Sequence, residues 1–360
     1  QIGLPVSDST LSEEVLLTSK PGSALQWTAG LFYLSNKDEW QTWIDNNVPT
    51  SGRLRLGGSG TSTKSFAAFL DMTYELSPQL FLTAGARYSH DQIDDAYYIT
   101  PFSGTRTYVT TAQADAVRAN TVTPRVVLRY KPTDRSSIYA SYTRGYKAGI
   151  LDVGGATGNP VKPEKIDAFE LGYKFDDRIV SFEAAGFYYK YKDLQVSLFR
   201  AGTAEILNAA QAEIYGLEGQ IRFKVGSNFD VNSGMAWTHA RYQKVDNAPL
   251  YARCAGLGGC GGGTSYYVQT GVTLRNVTMQ RTPEFTANVG ARYHTTLAGG
   301  EFAASGNIYY SSKFFFSPSG TQFPQDKYAV ASVRAQWTDP SDHYTVALFG
   351  DNVTNKRFRT

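Results

Sequence analysis

The stretch "AEIYGLEGQIRFKVGSN", residues 212–228, alternates almost without error. Tyr215, Leu217, Ile221, Phe223 and Val225 fall on one parity, and Glu218, Gln220, Arg222 and Lys224 on the other. Successive side chains of a strand point to opposite faces, so this is a strand with one dry face and one wet face. In a soluble sheet the dry face meets a core and the wet face bulk water. In a membrane barrel the dry face meets lipid and the wet face an internal lumen. Which side is the inside has to be decided from the rest of the chain.

Composition narrows the choice. At 360 residues the chain suits one large domain or two ordinary ones. Its 24 Tyr and 14% aromatic content suit cores, binding loops or the two rims of a membrane, where a ring sits half in apolar and half in wet surroundings. No apolar run approaches the roughly 20 residues of a membrane helix. A negative mean hydropathy does not argue against a barrel, whose alternating strands average out as polar. The net charge of +3 is spread in both signs, with no dense basic cluster, so no nucleic-acid partner is expected. The opening "QIGLPVSDST" lacks the basic start and apolar run of a signal peptide; export has to be argued otherwise, or the signal is missing.

Strand-like segments lie near 12–20, 24–34, 64–76, 79–90, 119–131, 135–147, 164–175, 179–191, 213–225, 229–242, 281–296, 300–312, 326–338 and 343–350, about fourteen strands and no helix. Most run to about 10–13 residues, twice the usual 5 or 6, which is the length a tilted strand needs to cross a bilayer. Connections alternate too. Tight turns such as "KPGS" (20–23), "SPQ" (77–79), "GSN" (226–228) and "LAGG" (297–300) are separated by long segments at 35–63, 91–118, 148–163, 192–212, 243–280 and 313–325. Short periplasmic turns and long extracellular loops are the pattern of a transmembrane antiparallel β-barrel, and loops of this length are unusual in a soluble sandwich. In "LFLTAGARYSH" and "FTANVGARYH" the dry sets are Leu82, Ala84, Ala86, Tyr88 and Phe285, Ala287, Val289, Ala291, Tyr293. Their mixture of small and large residues suits lipid, which needs no jigsaw fit. Arg144 breaks the rule by sharing parity with Ile138, Ala140 and Tyr142, unless it lies at a rim and snorkels.

Several motifs read as ordinary loops. "GLGGCG" (256–261) has dinucleotide spacing but no strand before it and no helix after it. "GGSGTSTKS" (57–65) resembles a phosphate loop, but Thr63 stands where Gly is required, so it reads as a polar loop. Asn276-Val277-Thr278 and Asn352-Val353-Thr354 are glycosylation sequons in form only. Cys254 and Cys260 in "CAGLGGCGGG" read as a small disulfide ring in an oxidising compartment. Metal is the rival reading, but two thiols are half a tetrahedral zinc set and the four His are scattered. No cofactor or metal is expected, and no nucleophile, base and acid stand together, so the chain is expected not to be an enzyme. The candidates for gripping a small molecule are rigid aromatic and basic groups. In the loops these are Trp40, Trp43, Tyr97, Tyr98, Arg106, Tyr108, Tyr266, Tyr267 and Phe314 to Phe316; on the wet parity of strands they are Arg87, Arg222, Arg292 and Arg334. The competing roles are aromatic-belt and loop-packing residues, and arginines paired to acids such as Glu218.

Five runs, "PRVVLRYKPTDRSSIYASYTRGYKAG" (124–149), "VKPEKIDAFELGYKFDDRIVSFEAAGFYYKYKDLQV" (161–196), "NAAQAEIYGLEGQIRFKV" (208–225), "RTPEFTANVGARYH" (281–294) and "LFGDNVTNKRF" (348–358), resemble the barrel of the TonB-dependent outer-membrane receptors, and "LSEEVLLTSKPGSALQWTAGLFYL" (11–34) looks like a mid-barrel hairpin of that family. The resemblance implies a plug domain followed by a barrel of about 22 strands, of which residues 1–360 supply about fourteen, the plug, early strands and last strand not being present. It further implies an outer-membrane location with lipid around the wall, and partners in the receptor's own plug and the TonB complex. The implied activity is active uptake of a scarce nutrient, a ferric siderophore before cobalamin, haem or a saccharide. "FRAG" (199–202) is too thin a match to argue for haem. A passive porin-like channel and a barrel-embedded hydrolase are the alternatives.

Overall fold

In the computed structural model of the chain, residues 2–45, 53–99, 111–113, 116–152, 159–200, 203–253 and 267–359 are described. They form one antiparallel wall whose main strands follow chain order. These are β1 (Val6–Thr18), β2 (Leu25–Asp45), β3 (Arg53–Ser77), β4 (Leu80–Ile99), β5 (Val117–Thr133), β6 (Ser136–Lys147), β7 (Glu164–Asp176), β8 (Val180–Arg200), β9 (Thr203–Val225) and β10 (Phe229–Arg253). They are followed by β11 (Tyr267–Thr278), β12 (Phe285–Leu297), β13 (Gly300–Ser311), β14 (Tyr328–Thr338) and β15 (Thr345–Gly350). The outer half of β10 pairs with β11 and its inner half with β12, so these two strands share one position in the wall. That leaves the fourteen positions expected from the alternation. Among the described residues there is no helix, and β1 and β15 each pair on one side of the wall without meeting each other.

Register shows why the alternation was readable. Leu25, Tyr74, Leu82, Leu128, Ala140, Leu171, Gly186, Leu217, Trp237 and Phe285 are successive direct partners across ten strand positions, and therefore share one face. Leu171 and Leu217 each leave 62% of their surface uncovered, which is stable only against lipid. A second row on the same face is aromatic. Tyr142, Phe169, Tyr188, Tyr215 and His239 are partners in turn, with ring centroids 5.0 Å apart for Tyr142–Phe169, 6.4 Å for Phe169–Tyr188 and 4.7 Å for Tyr215–His239. Along β9 the apolar parity runs from Tyr215 to Val225 and gives way at Glu213. Ten residue steps at about 3.3 Å, tilted about 40°, span about 25 Å, the height of the apolar band of an outer-membrane barrel.

The strands overrun this band at the loop end, and here the sequence reading needs correction. β2, β3, β8, β9 and β10 each exceed 20 residues, so much of the segments read as loops at 35–63, 91–118, 192–212 and 243–280 is two-stranded ribbon standing above the membrane. "GGSGTSTKS" lies inside β3 and pairs on both sides, contrary to its reading as a loop. Above the bilayer both faces meet water, so the dry parity that marks a strand disappears while the hydrogen bonds continue. The ribbons of β8 to β11 are held by a small core of Val196, Ala210, Ala212, Tyr242, Val245 and Ala248. The segment 281–296 is not one strand either. Residues 279–284 detour from the wall, Arg281 N–H donates to Phe315 C=O at 2.7 Å, and β12 starts at Phe285. On the other side the turns are as short as expected, and Gly22, Gly226 and Gly299 take the positive φ that tightens them.

The face assignment predicts an asymmetry. Leu217→Lys, near mid-band on the lipid side, lowers the stability of the protein folded in lipid by about 2–4 kcal/mol. Gln220→Lys, on the opposite face beside Glu183, changes it by less than about 1 kcal/mol. Denaturant titration of both variants in liposomes checks this, and equal losses would overturn the assignment.

Candidate functional site

The opposite face is a polar wall built by cross-strand rows. Tyr139 donates its hydroxyl to Glu170 at 2.5 Å, and its ring lies across Gly172, where a Cβ would stand 2.3 Å from the ring carbon. Two residues nearer the turns, Lys174 and Glu183 are direct partners joined at 3.2 Å, and Gln220 Nε2 donates to the same carboxylate at 3.2 Å. Together with Glu218 and Asn288 these groups line an open concavity of about 470 Å³. Nearer the turns, Asn232, Arg292, Ser305, Asn307, Ser332 and Arg334 line a second concavity of about 560 Å³. Its chemistry is cationic and hydrogen-bonding, whereas the first holds three carboxylates around one lysine.

Glycine has a specific use here. Asp71, Gly85 and Arg125 are consecutive partners on β3, β4 and β5, and the Arg125 guanidinium reaches Asp71 at 3.2 Å over the intervening strand. A Cβ on Gly85 would lie 2.5 Å from the Asp71 carboxylate oxygen, so the missing side chain is the passage for the ion pair. The same device recurs at Gly290, where a Cβ would lie 2.7 Å from Asn232 Oδ1. Both glycines sit two residues before an arginine on the wet parity, in "TAGAR" and "NVGAR". Glycine on a lumen parity was the sequence signal for these contacts, and the reading passed over it.

The residues singled out from the sequence do not converge. Arg87 faces the lumen, with its guanidinium 5.3 Å from the Phe32 ring centre and 5.5 Å from that of Phe69, so it stacks on aromatic neighbours and is not paired to an acid. Arg222 and Arg292 lie lower, on either side of β10, and among the described residues neither makes an ion pair; the expected pairing with Glu218 is absent. Arg334 Nε donates to Gln336 at 3.1 Å. Trp40 and Tyr98 are strand residues and not loop residues, brought into one row through Ser59; Tyr97 lies opposite Gly60 and Trp43 opposite Arg55. The Trp40 row is ten residues, roughly 33 Å, above the Arg87 row. Tyr267 opens β11 opposite Arg253. Arg106, Tyr108, Tyr266, Cys254 and Cys260 lie outside the described residues. Phe314 and Phe316 meet edge to face at 5.3 Å, and Arg281 sits 5.3 Å over Phe316, a packing role. Arg144, whose facing was open, stands on the lipid parity one step beyond the aromatic row, paired with Asp167 at 2.7 Å.

A tall antiparallel wall with a lipid face, a polar inner face, tight turns at one end and long ribbons at the other defines an outer-membrane β-barrel of the receptor type. The chain belongs to the TonB dependent receptor-like, beta-barrel family, whose profile matches residues 7–353. That membership places it in the bacterial outer membrane among receptors and not enzymes. The pesticin receptor of Yersinia enterocolitica is 28% identical over 216 residues, 57% of this chain and 30% of that protein. The probable TonB-dependent siderophore receptor PiuA of Acinetobacter baumannii is 22% identical over 284 residues, 74% of this chain and 37% of that protein. Among solved structures, the ferric yersiniabactin uptake receptor FyuA from Yersinia pestis superposes with a TM-score of 0.77 at 17% identity, covering 99% of this chain and 51% of that one. The chain thus spans about a third of the length of these curated relatives and half of that structure.

The glycine device gives a signed expectation. Replacing a strand glycine by alanine normally stabilises by about 0.5–1 kcal/mol, but Gly85→Ala destabilises by about 1 kcal/mol because the new methyl displaces Asp71 from Arg125. In an Asp71→Ala background the same change turns neutral or stabilising. A double-mutant cycle by denaturant unfolding in detergent measures the difference, and additive effects would refute the passage.

Proposed function

We propose that the chain forms a large part of the barrel of a TonB-dependent receptor that imports a ferric siderophore. Family membership over residues 7–353 carries the reading, and the relatives named as a siderophore receptor and a ferric yersiniabactin uptake receptor support its cargo. In this reading residues 1–360 are a portion of the barrel, further strands close its two edges, and a plug domain fills the lumen. The projecting ribbons, with the row of Trp40 and Tyr98, present a first contact surface for the cargo. The TonB complex, acting through the plug, opens the path, and the cargo moves along the polar wall past the unpaired guanidiniums of Arg222 and Arg292, which suit an anionic chelate. The acidic concavity higher up, with Glu170, Glu183 and Glu218, suits basic and hydrogen-bonding groups of the plug.

Uptake of radiolabelled ferric siderophores by iron-starved cells carrying the receptor tests the reading. Uptake saturates with one of them, stops when the proton-motive force is dissipated or TonB is removed, and falls about tenfold in Arg222→Glu/Arg292→Glu at unchanged surface level, the size expected for reversing charges on a steered path. Uptake that neither saturates nor needs energy would replace the reading with a passive channel.

A further inference from the structure

At the extracellular edge of the apolar band the wall has a seam. The last direct partners of β5 and β6 are Arg125 and Thr143, and the next residue of β5 is Pro124, which has no N–H to give to a ladder. Beyond it, among the described residues, Thr123 to Val117 pair only with β4, and Arg144 to Lys147 only with β7. The Tyr146 hydroxyl crosses the seam and donates to Asp91 Oδ2 on β4 at 2.7 Å, while Asp91 Oδ1 accepts from Ser65 at 2.6 Å.

The connection from β6 to β7 is built onto both sides of this seam. Its segments Ile150–Asp152 and Asn159–Val161 pair as a short hairpin in which Leu151 and Val161 are buried. On one side it is seated on β4 and β5. Leu151 packs with Ile93 and Val117, direct partners on the lumen parity, and a Cβ on Gly149 would stand 3.1 Å from Val117 Cγ1. On the other side it is held by side chains of β8 and β9. Gln195 Nε2 donates to the carbonyls of Ala148 at 2.9 Å and Lys162 at 3.1 Å. The Asn208 amide accepts from Lys162 N–H at 2.6 Å and donates to Lys162 C=O at 2.8 Å. Because β6 ends at Lys147 and β7 begins at Glu164, the hairpin bridges a notch between two taller groups of ribbons.

Those groups are each coherent by themselves. The ladder of β2, β3 and β4 runs up to the row of Trp40, Ser59 and Tyr98, and β8 to β11 enclose their own small core. Strands joined by hydrogen bonds move together, and a seam without them is where two packed bodies can turn against each other. Seating the hairpin also has a cost: Gln195 Oε1 is buried with no donor, and release into water would satisfy it. We propose that the hairpin is a latch between two bodies, the ribbons of β2–β5 and those of β8–β11. Seated, with Tyr146 bonded to Asp91, it holds them at a fixed separation. Released, it lets the β2–β5 body swing about the seam at Pro124 and carry the Trp40 and Tyr98 row with it. The inference rests on the ribbons themselves and holds whichever cargo the receptor carries.

Double electron–electron resonance on the whole receptor, plug included, in nanodiscs tests it. Cys254 and Cys260 are changed to Ser, and spin labels are placed at the exposed positions Lys64 on β3 and Gln211 on β9 through K64C and Q211C. With the latch intact the pair gives a single distance. The Y146F/Q195A/N208A variant adds a component longer by about 5 Å or more, the scale of a packed element moving by one step. A second pair, Q211C with S227C at the foot of the same strand, keeps its distance. An unchanged Lys64–Gln211 distance in the variant, even with faster hydrogen exchange at residues 148–152, would overturn the latch and leave a passive loop. A change within the β9 pair would overturn the rigid body. Where the triple variant is not recovered folded, Y146F alone, which removes a single hydroxyl, is expected to broaden the Lys64–Gln211 distribution, and no broadening there overturns the proposal equally.

Discussion

The structure depends on one constraint: inside the hydrocarbon no backbone N–H or C=O can go unpaired, because no water is present to take it. A wall of strands meets it only by hydrogen bonding sideways without interruption. The chain accordingly spends its tight turns returning each strand beside the last, and its fourteen wall positions follow one another in sequence order. The interruption at residues 279–284 is informative. There the wall position is handed from β11 to β12, and the seam is closed by Thr238 N–H to Glu284 C=O at 2.9 Å and Met279 N–H to Ala240 C=O at 3.1 Å. The same constraint applies to the two edges, where β1 and β15 expose Leu11, Val15, Leu16, Val346 and Leu348; in lipid such edges need a partner strand.

With the backbone satisfied within the sheet, the two faces are free to specialise, and they use side chains in different ways. The lipid face needs only apolar area, so Leu171, Leu217 and Met235 can remain largely uncovered by protein. The lumen face must pair its polar groups across strands, because a carboxylate left alone in a confined space is costly. Asp71 with Arg125, and Glu183 with Lys174 and Gln220, answer that need. Glycine on the lumen face is therefore part of the polar network: at Gly85, Gly172 and Gly290 its missing side chain lets a neighbour's polar or aromatic group lie across the strand.

This difference explains what could be read from the sequence. The membrane-spanning part of each strand was legible because lipid imposes a strict parity, as in Tyr215 to Val225. The upper parts of β3 and β10 were not, because above the bilayer Gly, Ser and Thr are tolerated on both faces and resemble a loop while remaining in the ladder. The lumen site was legible only as a set of residue types. That Arg222 and Arg292 face inward follows from parity; that Arg87 stacks on Phe32 and Phe69, and that Arg125 reaches Asp71 past Gly85, depends on register among three strands, which one strand's sequence does not encode.

Arg144 shows how the boundary between lipid and water is written. By parity it belongs with Ile138, Ala140 and Tyr142, and in the middle of the band an arginine would cost several kcal/mol, roughly 2–4 at the bilayer midplane. One step beyond the aromatic row the penalty falls, and the residue acquires a partner: Asp167 binds the guanidinium, and the Tyr142 hydroxyl, from the belt below, donates to the same carboxylate. Two strands on, Glu213 stands in the same row and accepts from Gln243 Nε2 at 3.1 Å. Tyr142 thus keeps its ring in the aromatic row of the apolar band and spends its hydroxyl on the rim acid. Asp167 is thereby paired from inside the protein, and in the same row Lys190 stands directly between Asp167 and Glu213, so charge at the rim alternates in sign along the outside of the wall.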